Sequence, residues 1–303
     1  MTIAAVLLIA ALLGGAWLWT PDGDRTSFEA QYAAPPSTFV TVEGVRFHLR
    51  DTGPRQAPPV ILLHGFGSSL HTWDGWAQDL SKDLRVIRID LPAAGLTGAD
   101  PSGDYSDTRT VKLLVGLMDA LGLEKASFAG HSMGGRMAWR FAAEQPQRVS
   151  RLVLVAPDGF ASPGFEYGKA PKVTAPVKLM QYMLPKAVLR MSLAPAYADP
   201  KAMDDATVQR YWDMMRAPGV RAALIQRMQQ MVLQEPQPLL ARITAPTLLL
   251  WGSKDAMIPE ANAQDYLRAI KGSRLVTLPG VGHVPHEEAA ETALRPVRDF
   301  LLE

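Results

Sequence analysis

The chain has no cysteine among its 303 residues, which excludes disulfides, thiolate metal sites, a cysteine nucleophile and a lipidated cysteine. An excess of either charge is also missing. Lys plus Arg number 31 against 30 for Asp plus Glu, a formal net charge of +1, and no basic or acidic run suited to tracking phosphates occurs, so no nucleic-acid partner is expected. What the chain does have is length. At 303 residues it reaches the size where one core stops growing, so either one large domain with an insertion or two small domains is expected, with room for a buried active site.

One apolar run stands at the start. Residues 3–19 form 17 positions without a charge, close to the lower limit for a membrane-spanning helix. A cleaved signal peptide is the alternative, with Gly14-Gly15-Ala16 as its small-residue site, but the basic leader is absent and the run is longer than such segments carry. Cleavage there would leave Trp17-Leu18-Trp19 exposed, whereas an uncleaved helix places both indole rings at the membrane interface that suits them. Residues 1–20 are therefore expected to be a single-pass transmembrane anchor or signal segment. The catalytic domain is then expected on the non-cytoplasmic side.

Residues 21–37 are polar and contain proline without apolar periodicity, as in a juxtamembrane linker. Short β-type runs at 39–42 and 45–50, with Glu43-Gly44 between them, predict an opening hairpin. Predominantly apolar runs at 60–63, 84–89, 126–129, 152–155, 247–251 and 274–278 alternate with helical periods at 110–121, 133–144, 261–270 and 287–302. That alternation predicts an α/β protein with a mostly parallel sheet flanked by helices. The core would lie in two parts, 38–157 and 241–303, interrupted by an all-helical insertion over 158–240 with helical patches at 208–215 and 221–232. The insertion holds eight of the 13 methionines, including the pairs Met180 and Met183, and Met228 and Met231. Each pair is spaced to share a helix face, either as packing or as an adaptable apolar pocket wall.

Gly130-His131-Ser132-Met133-Gly134 follows a predicted strand and opens a predicted helix, the strand–turn–helix context in which a serine is pushed out at a sheet edge as a nucleophile. A serine hydroxyl needs a base. Of six histidines, His283 is the best placed, in the loop after the run ending at Leu278. His48, His64, His71, His131 and His286 read as structural. A base that becomes positive needs a carboxylate partner. Asp255 follows the strand at 247–251 and is preferred over Asp158, whose Pro157-Asp158-Gly159 context suits a turn. An oxyanion hole needs two backbone donors, and the amides of Phe66, in His64-Gly65-Phe66-Gly67, and of Met133 are the candidates.

With these motifs in the order Ser, Asp, His, the sequence resembles the α/β-hydrolase superfamily over roughly 260 residues. His64 to Gly67 resembles its oxyanion loop, Gly130 to Gly134 its nucleophile elbow, Asp255 its acid and His283 its base. Asp90-Leu91-Pro92-Ala93-Ala94-Gly95 is similar to its Asp-x-Pro-Gly-x-Gly stretch, with Ala93 where glycine is usual. The resemblance makes 158–240 a helical cap over an apolar pocket, and implies no cofactor and no metal. The function expected is serine hydrolysis of apolar, medium-chain carboxylic esters through an acyl-enzyme. Carbon–carbon bond hydrolysis or acyl transfer on the same fold is the alternative, and a membrane-tethered binding or scaffolding protein is the non-enzyme one. A Met-rich cap leans toward esters, whereas a polar or basic pocket would favour carbon–carbon cleavage.

Overall fold

The computed structural model describes residue 5, residues 18–162 and residues 166–303. Most of the anchor expected over 1–20 lies outside these. Among the described residues no helix is long and apolar enough to cross a membrane.

Eight strands form one sheet: β1 (Ser37–Val42), β2 (Val45–Thr52), β3 (Pro59–Leu63), β4 (Arg85–Ile89), β5 (Ala126–His131), β6 (Val149–Val155), β7 (Thr247–Gly252) and β8 (Arg274–Leu278). Their order is β1-β2-β4-β3-β5-β6-β7-β8. The β1–β2 and β2–β4 pairings are antiparallel and all the others parallel. Successive residues of the central strands point to opposite faces, and both faces are covered. Ile61, Leu63, Ile87, Phe128, Leu249 and Trp251 enter one apolar cluster. Their neighbours Val60, Leu62, Val86, Ala129, Leu248 and Leu250 enter another. Burial on both sides is why these strands read as continuous apolar runs.

The helices, in chain order, are α1 (Arg25–Tyr32), α2 (Asp74–Leu80), α3 (Asp107–Ala120), α4 (Met133–Glu144), α5 (Ala175–Leu179), α6 (Lys186–Leu193), α7 (Asp205–Met215), α8 (Val220–Gln230), α9 (Gln237–Leu240), α10 (Ala261–Ala269), α11 (Pro285–Glu288) and α12 (Ala290–Leu302). Helices α3, α4 and α10 supply residues to the first cluster, and α2 and α12 to the second. Helices α5 to α9 all fall between β6 and β7, with α7 and α8 building a third cluster that holds Tyr211, Met214, Met215 and Leu224.

The linker and the last helix depart from the sequence expectation. The linker contains α1, capped by the Asp24 carboxylate accepting the Ser27 amide at 2.8 Å and tied down by buried Phe28 in the cap cluster. One buried side chain in eight residues leaves no periodic trace. The predicted last helix over 287–302 is broken at Ala289, whose φ of −139° and ψ of 47° separate α11 from α12.

Candidate active site

Register brings the carboxyl ends of the central strands to one edge: Leu63 pairs with Gly130, His131 with Val155, Val155 with Leu250, and Gly252 with Leu278. Ser132, Asp255, His283 and Phe66 sit on loops and turns leaving that edge, and Met133 opens α4 beside them. Ser132 occupies the turn between β5 and α4 with φ 52° and ψ −119°, a conformation costly for a non-glycine residue and typical of stored strain at a functional position. Its amide donates to the Val155 carbonyl at 3.0 Å and its carbonyl accepts from Asp158 N at 3.0 Å. The flanking glycines are steric requirements. A Cβ on Gly130 would lie 2.3 Å from the Gly134 carbonyl oxygen, and one on Gly134 would lie 2.3 Å from that of Leu63.

His283 and Asp255, 28 positions apart in sequence, meet with Nδ1 and Oδ2 at 2.8 Å. Both side chains are almost fully enclosed. The other carboxylate oxygen of Asp255 accepts the amides of Met257 and Ile258, each at 2.8 Å, which fixes the carboxylate plane. A carboxylate accepting from Nδ1 assigns the ring proton to that nitrogen and leaves Nε2 free to accept. Asp158 has a different partner: its carboxylate lies 3.6 Å from the Arg136 guanidinium.

The loop after β3 is braced by His64. The Leu91 amide donates to its Nε2 at 3.0 Å, so Nδ1 bears the proton and donates to the Gly65 carbonyl at 2.7 Å. Burial pushes the ring below its ordinary pKa, which keeps it neutral in this role. Phe66 and Met133 both border the same cavity. Among the described residues neither of their amides has a hydrogen-bond partner, so both are available as donors.

That cavity, about 170 Å³, is lined by Ser132 and His283 together with Phe66, Met133, Asp158, Phe160, Ser162, Met228, Met231, Met257 and Ile258. Met228 and Met231, from the end of α8, are part of its wall, whereas Met180 and Met183 are not. Sequence reasoning did not single out Phe160, Ser162, Met257 or Ile258. The last two carry a signal only in retrospect, since the amides that hold Asp255 also place them. Among the described residues no Lys or Arg lines the cavity. Among the described residues no group of three or more His, Asp or Glu could hold a metal ion.

The remaining histidines are built into the frame. The His131 Nε2 lies 2.8 Å from the His283 carbonyl oxygen, and burial, then the neighbouring His286 and His283, hold its pKa well below the ordinary value. A neutral ring with the proton on Nε2 donates that bond. His286 stacks on Trp73 at 4.2 Å and bonds Thr72 at 3.0 Å. His48 bonds the Asp90 carboxylate at 2.7 Å. Burial opposes ionisation of Asp90, but His48, with His64 and His71 beyond it, outweighs that and holds the carboxyl at about 2.

A family model described as the alpha/beta hydrolase fold matches residues 58–290. The 2-hydroxy-6-oxo-6-phenylhexa-2,4-dienoate hydrolase of Burkholderia cepacia is 29% identical over 280 residues, spanning 88% of this chain and 96% of that protein. Among solved structures, the meta-cleavage product hydrolase from Pseudomonas fluorescens IP01 superposes with a TM-score of 0.75 at 26% identity, covering 87% of this chain and 97% of that one. The enol-lactonase from Burkholderia xenovorans LB400 gives 0.75 at 25% identity, covering 88% and 100%.

Proposed function

Because the chain belongs to the α/β-hydrolase fold family, we propose that it is a serine hydrolase that cleaves its substrate beside a carbonyl carbon, with Ser132 as nucleophile. The observation that carries this is the 2.8 Å His283–Asp255 pair sharing one cavity with Ser132. His283 Nε2 takes the Ser132 proton as Oγ attacks, and Asp255 stabilises the resulting imidazolium. The carbonyl oxygen, now negative, is held by the amides of Phe66 and Met133. Collapse returns the proton to the leaving group, and water releases the acyl group by the same steps.

For the bond that breaks, kinship puts carbon–carbon cleavage ahead of the ester cleavage expected from sequence, since the similar proteins include a phenylhexadienoate hydrolase and a meta-cleavage product hydrolase. One specific observation keeps esters of apolar acyl groups as the second candidate. Apart from Ser132, His283, Asp158 and Ser162, the cavity is lined by methionine, isoleucine and phenylalanine, and among the described residues no Lys or Arg lines it, so it offers no cation to a substrate carboxylate. Side-by-side assays with a phenyl-substituted dienoate ketone and with nitrophenyl esters of graded chain length, using S132A as the blank, decide between them. Failure of a fluorophosphonate to label Ser132 would remove both. The anchor at 1–20 is part of the same proposal: the full chain should stay with membranes through a carbonate wash.

A further inference from the structure

The chain that would leave such an anchor does not hang free. Trp19 stacks on Tyr182 of the cap at 5.8 Å. The Thr20 amide donates to the Tyr182 carbonyl at 2.8 Å, and the Thr20 hydroxyl accepts from Leu184 N at 3.1 Å. Asp22 then receives Arg221 at 2.6 Å and Gly219 N at 2.9 Å. The end of the apolar run is thereby fixed to one particular part of the cap.

The cap segment that carries Tyr182 exposes apolar side chains and has an excess of cations in its sequence. Beside Trp19 and Tyr182, the cap exposes Leu179, Val188 and Met191, the last two 54% and 74% exposed. Val188 and Met191 are three apart on α6, on one face, while Leu189 turns inward. Single exposed apolar residues need no explanation, but five on one short segment and the stretch of chain pinned to it do. Over residues 159–198 the sequence carries five cations, Lys169, Lys172, Lys178, Lys186 and Arg190, against the single acid Glu166, in a chain whose net charge is +1. Lys172 and Lys178 are exposed.

We propose that this cap surface, Leu179, Tyr182, Val188 and Met191 with Lys172 and Lys178, docks on a bilayer rich in anionic lipid headgroups. The apolar side chains enter the interface and the lysines meet the phosphates, the combination that drives interfacial binding. A second copy is disfavoured by charge: a symmetric contact would set the same basic surface against itself. The docking rests on the proposed anchor and goes beyond it, since an anchor alone does not require the cap to touch lipid.

The absence of cysteine lets one probe be placed at a time. The full chain carrying Val188→Cys or Met191→Cys, labelled with an environment-sensitive nitrobenzoxadiazole dye, is reconstituted in phosphatidylcholine vesicles with and without phosphatidylglycerol. Lys271→Cys, on an exposed turn before β8, is the control. At 188 and 191 the emission shifts to the blue and is quenched by lipid-borne nitroxide on anionic vesicles, while at 271 it is not. Neutralising Lys172 and Lys178 with glutamine lowers the docked-to-undocked ratio by about fivefold per lysine. Probes at 188 and 191 as aqueous as the one at 271, on chain that floats with the vesicles, overturn the docking and leave the anchor standing. Chain that does not float overturns both. A blue shift without lipid that grows with protein concentration assigns the face to a second copy and overturns the docking.

Discussion

The amide of His283 donates to the carbonyl of Ala196 at 2.8 Å, so the proposed base is joined through its own backbone to the cap. Glu288 reinforces the joint: its carboxylate accepts Gly282 N at 2.7 Å and Ala198 N at 2.8 Å. A Cβ on Gly282 would stand 2.6 Å from Ala198 N, so loop and cap touch too closely for any other residue there. Glu288→Ala removes a charge-assisted acceptor worth about 1.5–3 kcal/mol per bond. It should lower the melting temperature by several degrees and, because the loop that carries His283 loses its tie to the cap, lower kcat about tenfold at a temperature where the variant is fully folded, with Glu288→Gln recovering part of both. A lower melting temperature with kcat of the folded variant unchanged would make Glu288 a stabilising residue only.

Ser132→Ala should leave a folded chain and cost on the order of 10⁶ in turnover. The turn is held by the Ser132 amide and carbonyl, so removing the hydroxyl leaves its bonds in place. Circular dichroism and active-site labelling check the two halves of that statement.

The acid should be identifiable by substitution. Asp255→Asn replaces the acceptor of the His283 Nδ1 proton with a group that can present a donor instead, the change that costs about 10⁴ in kcat in a comparable triad. Asp158→Asn weakens only a contact with Arg136 at 3.6 Å and should cost much less. The opposite ranking in kcat would move the acid role to Asp158.

Four rings make the fold sensitive to acid. Burial lowers the pKa of His64, His131 and His286, and brings His71 to about 4. Each is therefore harder to protonate in the folded chain than in the unfolded one, where an ordinary imidazole titrates near 6.5. Their stabilisation is complete above that value and is lost as pH falls below it, by up to about 1.4 kcal/mol per pH unit for each ring. Urea midpoints should drop steeply on going from about pH 7 to pH 5, and His286→Gln should flatten the slope by about one proton. A midpoint independent of pH in that range would contradict the burial of these rings.

Much of this arrangement was legible in the sequence, for a physical reason: strands buried on both faces cannot hide their apolar runs, and an elbow needs glycine where Gly130 and Gly134 stand. Short helices were less visible. In α2, of seven residues, Asp74 and Gly75 open the element and only Trp76, Ala77 and Leu80 are buried, too few to set a period. Glu288 was out of reach because its partners are backbone amides, one of them 90 positions away, and amides carry no sequence signature. Ala93 shows the converse. Its φ of 68° explains why glycine is usual at that place, yet its buried Cβ joins the cap cluster, which offsets part of the strain. Methionine spacing told only half the story, since three-residue spacing fixes a shared face but not what that face meets. Met228 and Met231 meet the cavity, while Met180 packs against the cap cluster.

The methionines that do reach the cavity give the last test. Met228, Met231 and Met257 form much of an apolar wall around a space of about 170 Å³, and thioether side chains can shift to follow a ligand. Each methylene that enters such a space gains up to about 0.8 kcal/mol until no room is left. If esters are turned over, kcat/KM should rise over the first few acyl carbons and then level off. With a ketone substrate, the same rise should follow the bulk of the apolar group beside the carbonyl. Met228→Ala together with Met231→Ala widens the wall from the cap side and should carry the plateau to longer chains, leaving labelling of Ser132 by a small fluorophosphonate unchanged. Met180→Ala and Met183→Ala, outside the cavity, should leave the profile where it is. A plateau that stays fixed in the first pair, or moves equally in the second, would place substrate selection elsewhere than in this wall.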